Sequence, residues 1–202
     1  MKTITNIDPK IIGKRSDLLE QPVIITVNEF TEESAKKFSE SMQKAHDSGQ
    51  PVIPVVIDSY GGMVDSLLNM ISEVDSSEIP VATICQGKAM SCGSVLLSCG
   101  EEGMRYMDAS SRVMIHDVSN MTWGKNEEIK ASAAETDRLN KLIFRRMSAN
   151  CGQERDYFLD EIHAKAHAEW FLTAQQARRH NIVNQIRIPT MTVNVNVEMA
   201  FE

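Results

Sequence analysis

The chain has 202 residues, 42% hydrophobic and 24% charged, and its 21 basic against 28 acidic side chains leave a net charge of −7. That length favours one domain able to bury a core without disulfides or metals, and an acidic balance with no Lys/Arg block lacks the footprint of a nucleic-acid binder. No apolar stretch reaches the length of a membrane span and residues 1–9 lack the apolar region of a secretory signal, so the expectation is a cytoplasmic protein with no membrane partner.

Residues 1–20 mix charges with Pro9 and Gly13 and show no clean periodicity, which predicts an N-terminal arm. Val23-Ile24-Ile25-Thr26-Val27 reads as a buried strand. Thr31-Glu32-Glu33-Ser34 then caps a helix running to about Ser48, with Ala35, Phe38, Met42 and Ala45 on one face and Gly49 ending it. A strand over 52–57 follows, then a helix turning Val64, Leu67, Leu68 and Ile71 inward, and after Pro80 a strand over 81–85. A loop carrying Lys88 leads to a helix with Ser91 near its start and Val95, Leu96 and Leu97 buried. The strand over 112–116 precedes a long helix from about 126 to 150, where Ile129, Ala133, Leu139, Leu142, Ile143 and Met147 recur at helical spacing. A short helix over about 155–163 and a strand-helix-strand unit over 169–186 complete the core. The alternating run 190–197 reads as an added edge strand or a disordered extension. Strands alternating with helices argue for an α/β fold with parallel crossovers.

Three separated segments carry the chemistry. Ser91 lies among small and apolar residues in Ala89-Met90-Ser91-Cys92-Gly93, and His116 closes Arg112-Val113-Met114-Ile115-His116. Serine is a weak nucleophile until a base takes its proton, and an imidazole is suited to that task. Upstream, Asp58-Ser59-Tyr60-Gly61-Gly62 ends a hydrophobic strand in a turn whose glycines allow close backbone approach, a candidate oxyanion hole. A developing anion at Ser91 is also favoured by the start of the following helix.

These motifs together resemble the Clp protease proteolytic subunit family. The resemblance rests on Ser59-Tyr60-Gly61-Gly62, on the segment from Ile84 through Ser91 to Leu97, on Ser111-Arg112-Val113-Met114-Ile115-His116, and on Glu169-Trp170-Phe171-Leu172-Thr173-Ala174 with Ala177 and Ile182-Val183 beyond it. It covers roughly residues 50–187. It implies an α/β fold of the crotonase-like kind, a repeated β-β-α superhelix with a protruding handle helix at about 126–150 inside a peptidase domain over 21–187, followed by a C-terminal tail over 188–202. It also implies Ser91 as nucleophile, His116 as general base, and the backbone N–H groups of Gly62 and Cys92 as the oxyanion hole. Glu169 takes the place of the family's usual aspartate, its extra methylene shifting the carboxylate. The expected activity is serine endopeptidase cleavage of polypeptides inside a homo-oligomeric ring or double ring, with no cofactor. With no Gly-x-x-x-x-Gly-Lys-Ser/Thr loop in the sequence, energy would come from a separate Clp-type AAA+ unfoldase.

The resemblance has departures. Asp117-Val118-Ser119-Asn120-Met121 stands where the family has a proline and a glycine-rich stretch, and Ala168 where it has an arginine beside the acid. Alternatives also stay open. The long helix fits an ordinary amphipathic core helix as well as a handle; a non-catalytic subunit of the same fold is the second functional reading; a crotonase-type acyl-CoA enzyme would share the oxyanion logic without needing a Ser-His pair. Lys88 would suit a less favoured Ser-Lys dyad. Asp117 neighbours His116 in an extended segment and is expected to point to the opposite face. His46, His163, His167 and His180 lie in polar helical surroundings and are expected to be solvated. Cys85, Cys92, Cys99 and Cys151 read as small buried hydrophobes with reduced thiols, and no metal site is expected.

Overall fold

The computed structural model describes residues 22–192. Strand β1 (Ile25–Val27) leads to helix α1 (Glu32–Asp47), where Thr31 Oγ1 accepts the Ser34 N–H at 3.1 Å and Ser34 Oγ accepts the Thr31 N–H at 2.8 Å, a reciprocal cap that satisfies two otherwise orphaned donors. The predicted apolar stripe of α1 is buried, and each large side chain in it, such as Phe38 or Met42, contributes about 1.5–3 kcal/mol relative to exposure. Strand β2 (Ile53–Ser59), helix α2 (Val64–Asp75), strand β3 (Val81–Met90) and helix α3 (Cys92–Ser98) follow. Two short strands, β4 (Arg105–Met107) and β5 (Arg112–Ile115), precede the long helix α4 (Asn126–Asn150), and α5 (Tyr157–Ala164), β6 (Trp170–Thr173), α6 (Ala174–Arg179) and β7 (Gln185–Ile186) close the chain.

The strands form one sheet, parallel throughout except where β5 meets β6, with β1-β2-β3-β4-β7 along its main path and β5 and β6 branching from β3. The expected α/β class with parallel crossovers is what forms. The arm expected over 1–20 and most of the tail lie outside the described residues; residues 188–192 are neither helix nor strand. Among the described residues no helix is long and apolar enough to cross a membrane.

Strand β3 differs from the sequence expectation in a way that matters for the site. Rather than ending at Cys85, it runs on to Met90 and changes neighbour: Thr83–Cys85 pair with β4, while Lys88–Met90 pair with β5. Lys88 therefore lies in a strand, not a loop. Polar Gln86-Gly87-Lys88 hides this continuation because it marks a bulge, where Ile57 pairs with Cys85 but Ser59 pairs with Ala89. Gly87 has φ +108°, and a Cβ there would stand 2.7 Å from Asp58 Oδ1, so glycine is required at the bend.

Strand β4 is a second departure, absent from the sequence reading because it has only three residues and opens on Arg105. That arginine is 2% exposed and bridges two helix ends, with Nη1 donating to Asn150 O at 2.6 Å and to Ser98 O at 3.4 Å, while Nη2 meets Glu102 at 2.6 Å. Helix α4 occupies the expected span but not with the expected apolar face. Its buried residues are Ile143, Phe144, Met147 and Ser148, all in the C-terminal part, whereas Ile129 and Leu142 are exposed. The N-terminal half carries no buried side chain, though Ser132 and Thr136 in it accept from Asn120 Nδ2.

Candidate active site

Parallel strands β2, β3 and β5 end on one edge of the sheet, the usual location of ligand crevices in open α/β sheets. Ser91 follows β3 directly and precedes α3. Its backbone has φ 52° and ψ −121°, a region non-glycine residues rarely adopt and hold only where the surroundings enforce it. Three hydrogen bonds enforce it here. The Ser91 N–H donates to Met114 O at 2.9 Å, tying it to β5, and its carbonyl accepts from Ser94 N at 2.9 Å and Ser94 Oγ at 2.7 Å. A sharp strand-to-serine-to-helix junction lifts the hydroxyl out of the sheet, the arrangement of a nucleophile elbow.

The Gly61-Gly62 turn abuts this serine. A Cβ on Gly61 would lie 2.7 Å from Ser91 Cβ and 3.2 Å from Ser91 Oγ, and one on Gly62 would lie 2.4 Å from Phe30 O. Phe30 N donates to Gly61 O at 3.3 Å and Phe30 O accepts from Met63 N at 2.8 Å, a parallel bridge between Phe30 and Gly62. In such a bridge the N–H and C=O of Gly62 point away from Phe30. The carbonyl accepts from Cys92 Sγ at 3.2 Å, so this peptide faces the start of α3, where the Cys92 N–H is one of the unpaired donors of a helix first turn. Burial pushes the Cys92 thiol up to about 11, offset in part by hydrogen bonding to the sulfur from the Gly62 backbone, Ser91 and the Cys92 backbone. The thiol is therefore neutral near pH 7 and is no rival nucleophile to Ser91.

His116 follows the last residue of β5, and Glu169 precedes the first residue of β6. The antiparallel register pairs Ile115 with Trp170, so the next pair outward is His116 with Glu169. Cross-strand neighbours on one face bring their Cβ atoms within about 4.5–5.5 Å. The fold thus gathers Ser91, His116, Glu169, Gly62 and Cys92 at one sheet edge from residues far apart in sequence. Among the described residues no hydrogen bond joins Ser91 Oγ, the His116 ring and the Glu169 carboxylate to one another.

The other candidates are occupied elsewhere. Lys88 Nζ pairs with Asp58 at 2.7 Å and lies 4.3 Å from the centre of the Tyr60 ring, which commits its ammonium and leaves a Ser-Lys dyad without support. Asp117 directs its carboxylate to His167 Nδ1 at 2.5 Å and Asn140 Nδ2 at 2.7 Å. Burial pushes the Asp117 carboxyl up, but the hydrogen bonds from His167 and Asn140, with the charges of His167 and His163, outweigh it and hold the group below its ordinary value.

Three histidines expected to be solvated have fixed partners. His46 bonds to Met42 O at 2.8 Å and Ser77 Oγ at 3.1 Å; His167 bonds to Asp117; His180 Nδ1 bonds with the Tyr157 hydroxyl at 2.6 Å, its ring 4.8 Å from Trp170. Helical surroundings concealed these contacts because each partner but Met42 lies on another element. Asn140 and His167 were missed as residues near the site for the same reason.

A family model described as Clp protease matches residues 8–189. A curated relative, "ATP-dependent Clp protease proteolytic subunit 1" of Salinibacter ruber (strain DSM 13855 / M31), is 34% identical over 143 residues, which is 71% of this chain and 59% of the relative. With a parallel-sheet α/β fold, a strained serine at a strand-to-helix junction and a family match over most of its length, the chain belongs to the Clp protease family.

Proposed function

We propose that this chain is a serine endopeptidase subunit of a Clp-type protease, acting on polypeptides through an acyl-enzyme. The backbone of Ser91 carries the reading: a φ of 52° costs stability and is explained by presenting Oγ to a substrate carbonyl beside the Gly62 and Cys92 peptides. His116 takes the Ser91 hydroxyl proton as Oγ bonds to the peptide carbonyl carbon. The resulting oxyanion sits against the Gly62 and Cys92 N–H groups. His116 then gives its proton to the leaving amine as the C–N bond breaks, and the acyl-enzyme is released when His116 deprotonates an attacking water. Glu169, opposite His116 in register, orients the ring and stabilises the imidazolium.

The triad side chains stand apart in the isolated chain, as catalytic hydrogen bonds often do before substrate and partners are in place. In this reading they close up in a homo-oligomeric ring or double ring, whose contacts include the N-terminal half of α4, with residues 21–187 as the peptidase domain between an arm and a tail. The ATP dependence in the relative's name is assigned to a separate Clp-type AAA+ unfoldase, and the whole works in the cytoplasm. The test is labelling by a fluorophosphonate with peptide turnover measured beside it. Ser91→Ala abolishes both while the assembly seen by mass photometry is unchanged; full turnover by Ser91→Ala, or a wild type that stays a monomer at micromolar concentration, removes the reading.

A further inference from the structure

We propose that Asp117, His167 and Asn140 form a staple that positions the base and acid of this site, a reading that rests on His116 and Glu169 having those roles. The β5–β6 ladder ends at Ile115 and Trp170. Two residues beyond Ile115 and three before Trp170, Asp117 Oδ2 meets His167 Nδ1 at 2.5 Å. His116 and Glu169 are therefore bracketed, each between a ladder pair on one side and this contact on the other. Without the contact, both would sit on free chain ends beyond the last backbone pair.

The staple is also anchored to α4. Asn140 donates through Nδ2 to the other oxygen of Asp117 at 2.7 Å and accepts the Val118 N–H through Oδ1 at 3.0 Å. Both carboxylate oxygens are thus used, one by the turn before β6 and one by the long helix. The turn itself is held in an unfavourable shape, with Ala166 at φ 55° and His167 at φ 59°, both non-glycine residues in the left-handed region. The His167 ring lies 4.6 Å from that of His163 at the end of α5, which with Asp117 fixes its direction.

Stability alone does not account for the arrangement. The His167 and Asp117 side chains are 57% and 28% exposed, and ion pairs so placed contribute little to folding. Their effect on geometry is the larger one, because displacement of a reacting group by about an ångström can cost about a hundredfold in rate.

The experiment uses the full-length assembled chain, with peptide turnover and fluorophosphonate labelling as readouts. Asp117→Ala and His167→Ala are expected to lower kcat by about tenfold or more with KM within about twofold of wild type, and the double variant to be no worse than either alone. His167→Asn restores most of the rate, since asparagine tolerates the left-handed backbone and its amide can donate where Nδ1 does. In a Glu169→Gln background, Asp117→Ala adds less than about twofold, because what the staple fixes is the placement of His116 and that carboxylate against each other. Unchanged kcat in the single variants, failure of His167→Asn to rescue, or an equal loss with and without Glu169 overturns the staple while leaving the peptidase reading intact. A wild type that neither labels nor turns over peptide overturns both.

Discussion

Gly61→Ala separates the steric role of the Gly61-Gly62 turn from its backbone strain. Gly61 has φ +108°, and its added Cβ would stand 2.7 Å from Ser91 Cβ and 3.0 Å from Met90 O, about 0.7 and 0.4 Å short of the 3.4 Å where ordinary contact begins. Neither obstacle is a flexible side-chain end. Met90 O is backbone, and Ser91 Cβ is fixed by the bonds to Met114 and Ser94. Either the turn retreats, carrying the Gly62 N–H from the oxyanion position, or Ser91 is pushed from its junction. A shift of that size corresponds to a roughly ten- to hundredfold loss of acylation rate, and the forced φ adds about 1–3 kcal/mol of destabilisation. Gly103→Ala is the control: Gly103 has φ +83° but nothing within 4 Å of an added Cβ, so it incurs backbone strain without a collision. Fluorophosphonate labelling rates, measured with a urea unfolding curve for each variant, are expected to drop for Gly61→Ala and to stay at the wild-type value for Gly103→Ala. Equal labelling of Gly61→Ala and wild type would refute the placement of this turn against the nucleophile.

Two further outcomes concern stability. Arg105→Ala removes the donors that satisfy the end carbonyls of α3 and α4, and with the buried carbonyls left unpaired the unfolding free energy is expected to fall by about 3 kcal/mol, read as a lower urea midpoint at unchanged slope. His180 has its pKa lowered by burial, so protonation is opposed in the folded chain. The unfolded chain then binds the extra proton more readily. This contribution to stability is full above the unfolded histidine pKa of about 6.5 and is lost as pH falls through that value. His180→Asn should flatten the fall in urea midpoint over that window; an unchanged profile would assign the acid sensitivity to other groups.

Much of the placement of the candidate residues was legible because it follows from local chain geometry. A hydrophobic strand ending in Gly61-Gly62, a small-residue serine segment and a strand ending in histidine each signal a strand terminus, and parallel strands joined by helices must end on one edge. The unread features all depend on contacts between distant segments. The continuation of β3 through Gln86-Gly87-Lys88 is polar and satisfied only by pairing with β5, so no local pattern marks it. The apolar residues of α4 recur at helical spacing along its whole length, yet buried side chains occur only in the last turns, because periodicity reports which face is apolar and not whether anything covers it. Asp117 was expected to avoid the His116 ring, but its partners, Asn140 and His167, lie 23 and 50 residues away.

The same distinction separates the segments that make up the candidate site. Ser91 and the turn at Gly61-Gly62 are held by backbone hydrogen bonds and by the absence of a Cβ, constraints that few substitutions satisfy. The segment after His116 and the residue before Glu169 face no such constraint: they need only keep β5 and β6 in register past the last ladder pair. A side-chain contact can do that as well as a proline or an arginine can. The Asp117–His167 contact joins the two segments concerned. Because Asn140 ties that link to α4, a displacement of the long helix would reach the His116–Glu169 pair through a single carboxylate.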